Sequence, residues 1–155
     1  MRRAFSIAYR LLGHRQDAED LVQDAFLAAL ERIDSFQSGR SFAPWLARIV
    51  VNRGLNARKA RALRHTEAIP DDVAALSTLP DRAAEQAEIR ARCRAALNAL
   101  PEQQRIITEL FELEGFTGAE IAEVLEIPAG TVRWQLHEAR KALRGALALY
   151  ATEQP

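Results

Sequence analysis

The stretch that decides the fold is Thr117-Gly-Ala-Glu-Ile-Ala-Glu-Val-Leu-Glu-Ile-Pro-Ala-Gly-Thr131-Val-Arg-Trp-Gln-Leu-His-Glu-Ala-Arg-Lys-Ala-Leu143. Ile121, Ala122 and Leu125 fall on one helical face, Glu126 to Gly130 interrupts, and Val132, Leu136, Ala139 and Leu143 restart the same spacing. Thr117 and Thr131 are N-cap residues by type, and Pro128 stops the first segment from continuing as helix. Small Ala122 allows a close crossing. The pattern reads as a helix-turn-helix, whose second helix has the dimensions to enter a major groove about 12 Å wide. Arg133, Trp134, Gln135, His137, Glu138, Arg140, Lys141 and Arg144 occupy the faces left over. A purely structural helical hairpin carries the same apolar pattern, so the motif alone leaves DNA binding and plain packing both open.

Upstream, every strong signal is again helical. From Asp81 or Arg82 the apolar series Ala83, Ala87, Ile89, Cys93, Ala96, Leu97 and Leu100 predicts a helix broken by Pro101, and Glu102–Glu114 follows with Ile106, Ile107, Leu110, Phe111 and Leu113. At the front, residues 2–12 read as a short helix ended by Gly13, with Phe5, Ala8, Leu11 and Leu12 apolar. Asp17 with Asp20 three residues on resembles a capping box and predicts a helix over about 18–34, its core face Ala18, Leu21, Val22, Ala25, Phe26, Ala29, Leu30 and Ile33. A loop covers Ser35–Arg40. Ser41 can then cap a third helix with Pro44 in its first turn and Trp45, Leu46, Ile49, Val50 and Leu55 toward the core.

The 155 residues hold 21 basic and 21 acidic side chains, but the neutrality is only global. Residues 1–66 carry a net +6, residues 67–90 a net −4 and residues 91–155 a net −2. Asp17–Asp34 contains six acids, whereas Pro44–Arg64 contains six cations and no acid. Such a cationic run is either a solvated face or a stripe that contacts phosphate. No run reaches the roughly 18 apolar residues of a membrane span, and no signal-peptide core opens the chain, so no membrane insertion and a cytoplasmic location are expected. The single cysteine, Cys93, has no internal disulfide partner, and His14, His65 and His137 lack metal-ligand spacing. No cofactor, no metal and no catalytic constellation is expected.

These residues carry a resemblance. Ala8-Tyr-Arg-Leu-Leu-Gly13 with Asp17-Ala-Glu-Asp-Leu-Val-Gln-Asp24, then Trp45-Leu-Ala-Arg-Ile-Val-Val-Asn52, Leu100-Pro-Glu-Gln-Gln-Arg105, Ala119-Glu-Ile-Ala122 and Ile127-Pro-Ala-Gly-Thr-Val-Arg133 together resemble the extracytoplasmic-function (group 4) sigma factors of RNA polymerase. The resemblance runs over about residues 4–147. It implies an all-α chain of two small helical domains joined by an acidic linker, the C-terminal domain being the helix-turn-helix. Residues 1–64 would be sigma region 2, which binds core polymerase and melts the −10 element. Residues 65–81 would be the linker, and residues 82–150 sigma region 4, which reads the −35 element.

The same resemblance assigns sites. Asp20, Gln23, Asp24 and Leu27 match residues that dock on the clamp coiled coil of the polymerase β′ subunit, and the β flap is the second expected contact on the core enzyme. An acidic face with one exposed leucine suits a basic coiled coil, although a solvated face reads the same way. The loop Phe36–Arg40 matches the pocket for a base leaving the stack, with Arg40, Arg48, Asn52, Arg53 and Asn56 nearby and Arg58, Lys59 and Arg61 tracking phosphate. Trp45 reads as core, while Phe36 suits either the pocket or packing. For the −35 element the matching residues are Thr131, Arg133, Trp134, His137, Arg140 and Lys141. An anti-sigma factor is the further partner implied.

Three departures from the family stand out. Trp134, Gln135 and Glu138 occupy positions where small or basic residues are usual, and a glutamate repels phosphate unless it accepts from a cytosine amino group. Glu126 replaces a glycine, which matters if the position needs a positive φ. The stretch ahead of Ala8-Tyr9 is shorter than usual, so a less stable first domain is expected. Two other readings compete with promoter-specific initiation, a stand-alone helix-turn-helix regulator and a sigma-like decoy; the acidic Asp17–Asp34 segment argues against the regulator.

Overall fold

The computed structural model describes residues 1–64 and 81–151, with side chains over 1–64 and 86–148. The expected linker 65–81, and His65 with it, therefore lies outside the described residues except for Asp81. In chain order the elements are α1 (Arg2–Leu12), α2 (Arg15–Glu31), a 3-10 turn (Ile33–Ser35), α3 (Phe42–Arg64), α4 (Asp81–Asn98), α5 (Glu102–Thr108), a π turn (Glu109–Leu113), α6 (Gly118–Leu125) and α7 (Ala129–Ala151). No strand occurs among the described residues. The fold is all-α, and its residues cluster into two compact units.

In the first unit α1, α2 and α3 pack against one another. Gly13 ends α1 in the left-handed region (φ 74°), its N–H donating to the Tyr9 carbonyl at 2.8 Å. That conformation costs glycine little and turns the chain at once, so α2 begins at Arg15 with His14 as N-cap, three residues ahead of the expected start. The capping box is therefore not formed. Asp17 lies in the first turn instead, where a carboxylate still favours the positive end of the helix dipole.

The core is built from small and branched residues: Ala4, Ile7, Ala8 and Leu11 of α1, Ala18, Leu21, Val22, Ala25, Ala28 and Ala29 of α2, and Leu46, Ala47, Val50 and Val51 of α3. Each fully buried valine contributes on the order of 1.5–3 kcal/mol. Leu30 and Ile33 are exposed, at 66% and 47%: Leu30 lies about 100° around α2 from the buried Ala29, and the 3-10 turn carries Ile33 off the buried stripe. Gly54 marks a close approach of α3 to α1 and α2. A Cβ there would lie 2.7 Å from Leu11 Cδ1 and 3.2 Å from Leu21 Cδ2. Residues Ala119–Ile127, carrying the buried Ile121 and Val124 of α6, group with this unit.

In the second unit α7 packs on α5 and α4. Leu100, Ile106, Ile107, Leu110, Phe116, Val132, Leu136 and Ala139 are buried, whereas Ile89, expected in the core, is 54% exposed. The expected helix over Glu102–Glu114 divides into α5 and the π turn, in which the Glu114 N–H reaches back to the Glu109 carbonyl at 3.1 Å. Thr108 is buried and donates its hydroxyl to the Gln104 carbonyl at 2.7 Å, satisfying a group that would otherwise be costly inside. Helix α7 begins at Ala129, so Pro128 rather than Thr131 holds the cap position: its carbonyl accepts from Thr131 and Val132 at 2.9 and 3.2 Å.

Candidate functional site

Glu126 holds φ at 56°, the left-handed position that glycine adopts freely. The Ile127 N–H donates back to the Ala122 carbonyl at 3.1 Å, so the end of α6 is closed locally before Pro128 opens α7. In chain order this is a helix, a tight turn and a helix. The strained glutamate is the cost of a turn whose geometry asks for glycine.

On α7 the buried Val132, Leu136 and Ala139 form one stripe, joined by the half-buried Leu143. Placing residues at 3.6 per turn puts Arg133, Trp134, His137, Lys141 and Arg144 within an arc of about 100° on the opposite side. All five are exposed, and Trp134 at 57% is the most unusual of them. Thr131 is half-buried. Arg140 is engaged within the unit: its Nε and Nη2 donate to Glu112 Oε1 at 3.1 and 2.7 Å, and its guanidinium lies 5.2 Å from the centre of the Phe111 ring. Gln135 is likewise held, donating to Gln103 Oε1 at 3.2 Å.

The first unit presents two surfaces of opposite charge. Asp20, Gln23, Asp24 and Leu27 of α2 are all exposed, Leu27 at 54%. Beside them a groove of about 430 Å³ is lined by Leu12, Asp17, Asp20, Leu21, Asp24, Ala57, Arg61 and Arg64. Arg61 Nη1 stands 3.1 Å from Asp17 Oδ2 across it. A cation expected along the DNA path is thus paired with an acid of α2, a contact that no local sequence pattern announces. The packing at Gly54, which brings α3 down onto α1 and α2, is the feature that sets it up.

At the other end of α3, Phe36, Phe42 and Trp45 form an aromatic triad. Phe36 meets Phe42 edge-on with centroids 5.6 Å apart and Trp45 at 5.3 Å; Phe42 and Trp45 are 5.5 Å apart. Phe42 remains 43% exposed. The loop between is shaped by its backbone: Gly39 sits at φ 103°, and the Arg40 N–H donates to the Gln37 carbonyl at 3.1 Å. Trp45 is half-buried rather than fully core, and Phe42, whose place at helical spacing suits either core packing or a stacking surface, is exposed.

Arg40, Asn52, Arg53, Asn56 and Lys59 are exposed, Arg58 is half-buried, and Arg48 pairs with the Glu126 carboxylate of the same unit. Asn52 and Asn56 are one turn apart on α3 and both reach solvent, so donors and acceptors of either amide are available to a base edge. The structure therefore offers, in one unit, an acidic face, a basic helix flank and an aromatic cluster beside a glycine-shaped loop. The other unit offers a basic arc with an indole in it. None of the described residues forms a His, Cys, Asp or Glu group able to hold a metal ion, and no described helix is long and apolar enough to cross a membrane.

A family model described as Sigma-70 region 2 matches residues 1–64, and one described as Sigma-70, region 4 matches residues 90–143. The chain is 35% identical over 154 residues to the ECF RNA polymerase sigma factor SigE of Mycolicibacterium smegmatis, covering 97% of this chain and 60% of that protein. It is 32% identical over 153 residues to the ECF RNA polymerase sigma factor SigW of Bacillus subtilis, covering 92% of this chain and 82% of that one. Among solved structures, the sigma factor RpoE of Bartonella quintana in complex with the anti-sigma factor NepR is similar at a TM-score of 0.72 and 25% identity, over 95% of this chain and 91% of that chain. CnrH in complex with the cytosolic domain of CnrY gives a TM-score of 0.64 and 28% identity, over 94% and 81%. With both sigma regions matched in order and a relative above 30% identity covered over most of its length, this chain belongs to the ECF RNA polymerase sigma factors.

Proposed function

We propose that this chain binds core RNA polymerase and directs promoter-specific transcription initiation, with residues 1–64 holding the enzyme and opening the −10 element and residues 82–150 reading the −35 element. The observation that carries this reading is the pairing of opposite surfaces on α2 and α3. An acidic face with Leu27 at 54% exposure is repelled by nucleic acid and suits a basic protein partner, while α3 offers exposed cations and amides suited to DNA. A regulator that bound only duplex DNA would have no use for the first surface. The function is one of recruitment and strand separation, as in other transcription regulators of this family, and involves no bond chemistry of its own.

Opening DNA takes a base out of its stack at a cost of a few kcal/mol, which aromatic contact and backbone contacts must offset. The Phe36, Phe42 and Trp45 cluster supplies the aromatic surface, with Phe42 reachable from solvent. Two structural neighbours were solved as complexes, the sigma factor RpoE with the anti-sigma factor NepR and CnrH with the cytosolic domain of CnrY. An anti-sigma factor that covers the α2 face would keep this chain off the polymerase.

The test is reconstitution of the full chain with bacterial core polymerase on a library of promoter-like templates. Transcripts starting at discrete sites, and only when the chain is present, support the reading. Sequence-specific duplex binding without polymerase and with no such transcripts would replace it by the stand-alone regulator, and neither activity would leave the decoy.

A further inference from the structure

Trp134 sits where a tryptophan is hard to explain by folding. It lies about 170° around α7 from the buried stripe of Val132, Leu136 and Ala139, and it is 57% exposed. Among the described residues its ring meets no other aromatic ring and no cation. It also stands in the second turn of the helix, and the N-terminal turns of a recognition helix are those that reach base edges. In the same arc lie Arg133, Lys141 and Arg144, and the half-buried Glu138 follows one turn on; three cations against one acid favour a polyanion over an apolar protein groove.

The chemistry of the indole narrows the choice of base. It offers a broad apolar edge and a single N–H donor, with no acceptor. Of the four bases viewed from the major groove, cytosine presents an amino donor, which an indole cannot receive. Guanine presents acceptors without a methyl group, and adenine mixes an acceptor with an amino donor. Thymine alone presents the C5-methyl group beside the O4 acceptor, matching both features of the side chain.

We propose that Trp134 is a specificity-determining residue that selects thymine in the upstream promoter element, its ring packed on the C5-methyl group in the major groove. This rests on the promoter-reading function proposed above and names what the α7 face selects.

The experiment uses holoenzyme reconstituted from the full chain and bacterial core polymerase, with templates carrying a randomised upstream element, and compares the sequences chosen by wild type and by Trp134→Ser. Because Trp134 is exposed and opposite the core, the variant keeps the fold, which a thermal melt verifies. Wild type selects a thymine at one position and the variant relaxes it. Replacing that thymine by deoxyuridine, which deletes only the methyl group, lowers open-complex formation by wild type about fourfold and leaves the variant unchanged. Site-specific transcription with no thymine selected, or with equal use of thymine and uracil, overturns the thymine proposal while leaving the sigma function intact. Absence of polymerase-dependent transcripts from any template overturns that function and the proposal together.

Discussion

Gly54 and Gly145 receive opposite predictions for the same substitution, and the difference tests whether α3 is pressed against α1 and α2. Alanine in a helix interior is favoured over glycine by about 1 kcal/mol. At Gly145, on the exposed side of α7, a Cβ meets nothing within 4 Å, so Gly145→Ala realises that gain, reduced by fraying near the helix end to about 0.5–1 kcal/mol. At Gly54 the new methyl carbon lies 2.7 Å from Leu11 Cδ1 and 3.2 Å from Leu21 Cδ2. Those leucines are only 6% and 7% exposed, which leaves them little room to turn aside. Overpacking of this kind costs about 1–3 kcal/mol, so after the helical gain Gly54→Ala should destabilise the first unit by about 1 kcal/mol. Urea unfolding reads it directly: with Trp134→Phe as background, Trp45 emission reports the first unit, and far-UV circular dichroism follows α7 for Gly145→Ala. A Gly54→Ala protein that gains stability as Gly145→Ala does would refute the close packing, and with it the account of how Arg61 is brought to Asp17.

Three further outcomes follow from the surfaces. A double-mutant cycle with Asp17→Asn and Arg61→Gln should give a coupling of about 0.2–1 kcal/mol at low salt that shrinks in 1 M salt, since both side chains are about half exposed; a coupling indifferent to salt would count against the pair. Phe36→Ala removes two ring contacts at about 0.5–1.5 kcal/mol each, so it should destabilise the first unit by about 1–3 kcal/mol, redden Trp45 emission and suppress strand opening while sparing duplex binding; unchanged emission and stability would show that the triad does not hold Trp45. Glu138→Arg, one turn beyond Trp134, replaces a carboxylate by a phosphate-binding group and should tighten duplex binding about tenfold at low salt with a steeper salt dependence; a fluorescence titration showing no change or a loss would count against repulsion of phosphate by Glu138.

What the sequence makes legible here is set by the range of the physics behind it. Helix existence and faces are local properties, and the apolar spacing of Leu21, Val22 and Ala25 or of Val132, Leu136 and Ala139 identifies their buried stripes correctly. The exposed side of a helix is equally local, which is why the α2 face around Leu27 and the α7 residues Arg133, His137 and Lys141 stand open to solvent. Glu126 belongs to the same class. Its departure from glycine marks a strained turn, and the positive φ is there.

Pairings between distant elements follow a different logic, because they depend on how closely two backbones approach. Asp17 as a would-be capping residue and Arg61 as a would-be phosphate contact are both sensible by local chemistry, yet the structure joins them across a groove. The determining residue is Gly54, whose missing Cβ lets α3 settle against Leu11 and Leu21 and carries the end of α3 over the acids of α2. Arg140 repeats the lesson in the second unit, where the π turn brings Glu112 and Phe111 to its guanidinium. Both arginines are already paired with a carboxylate in the free protein, so any phosphate they meet must compete with it. Their contribution to DNA affinity should therefore be smaller than that of Arg133 or Lys141, the cations that the exposed arc of α7 leaves without a described acid partner.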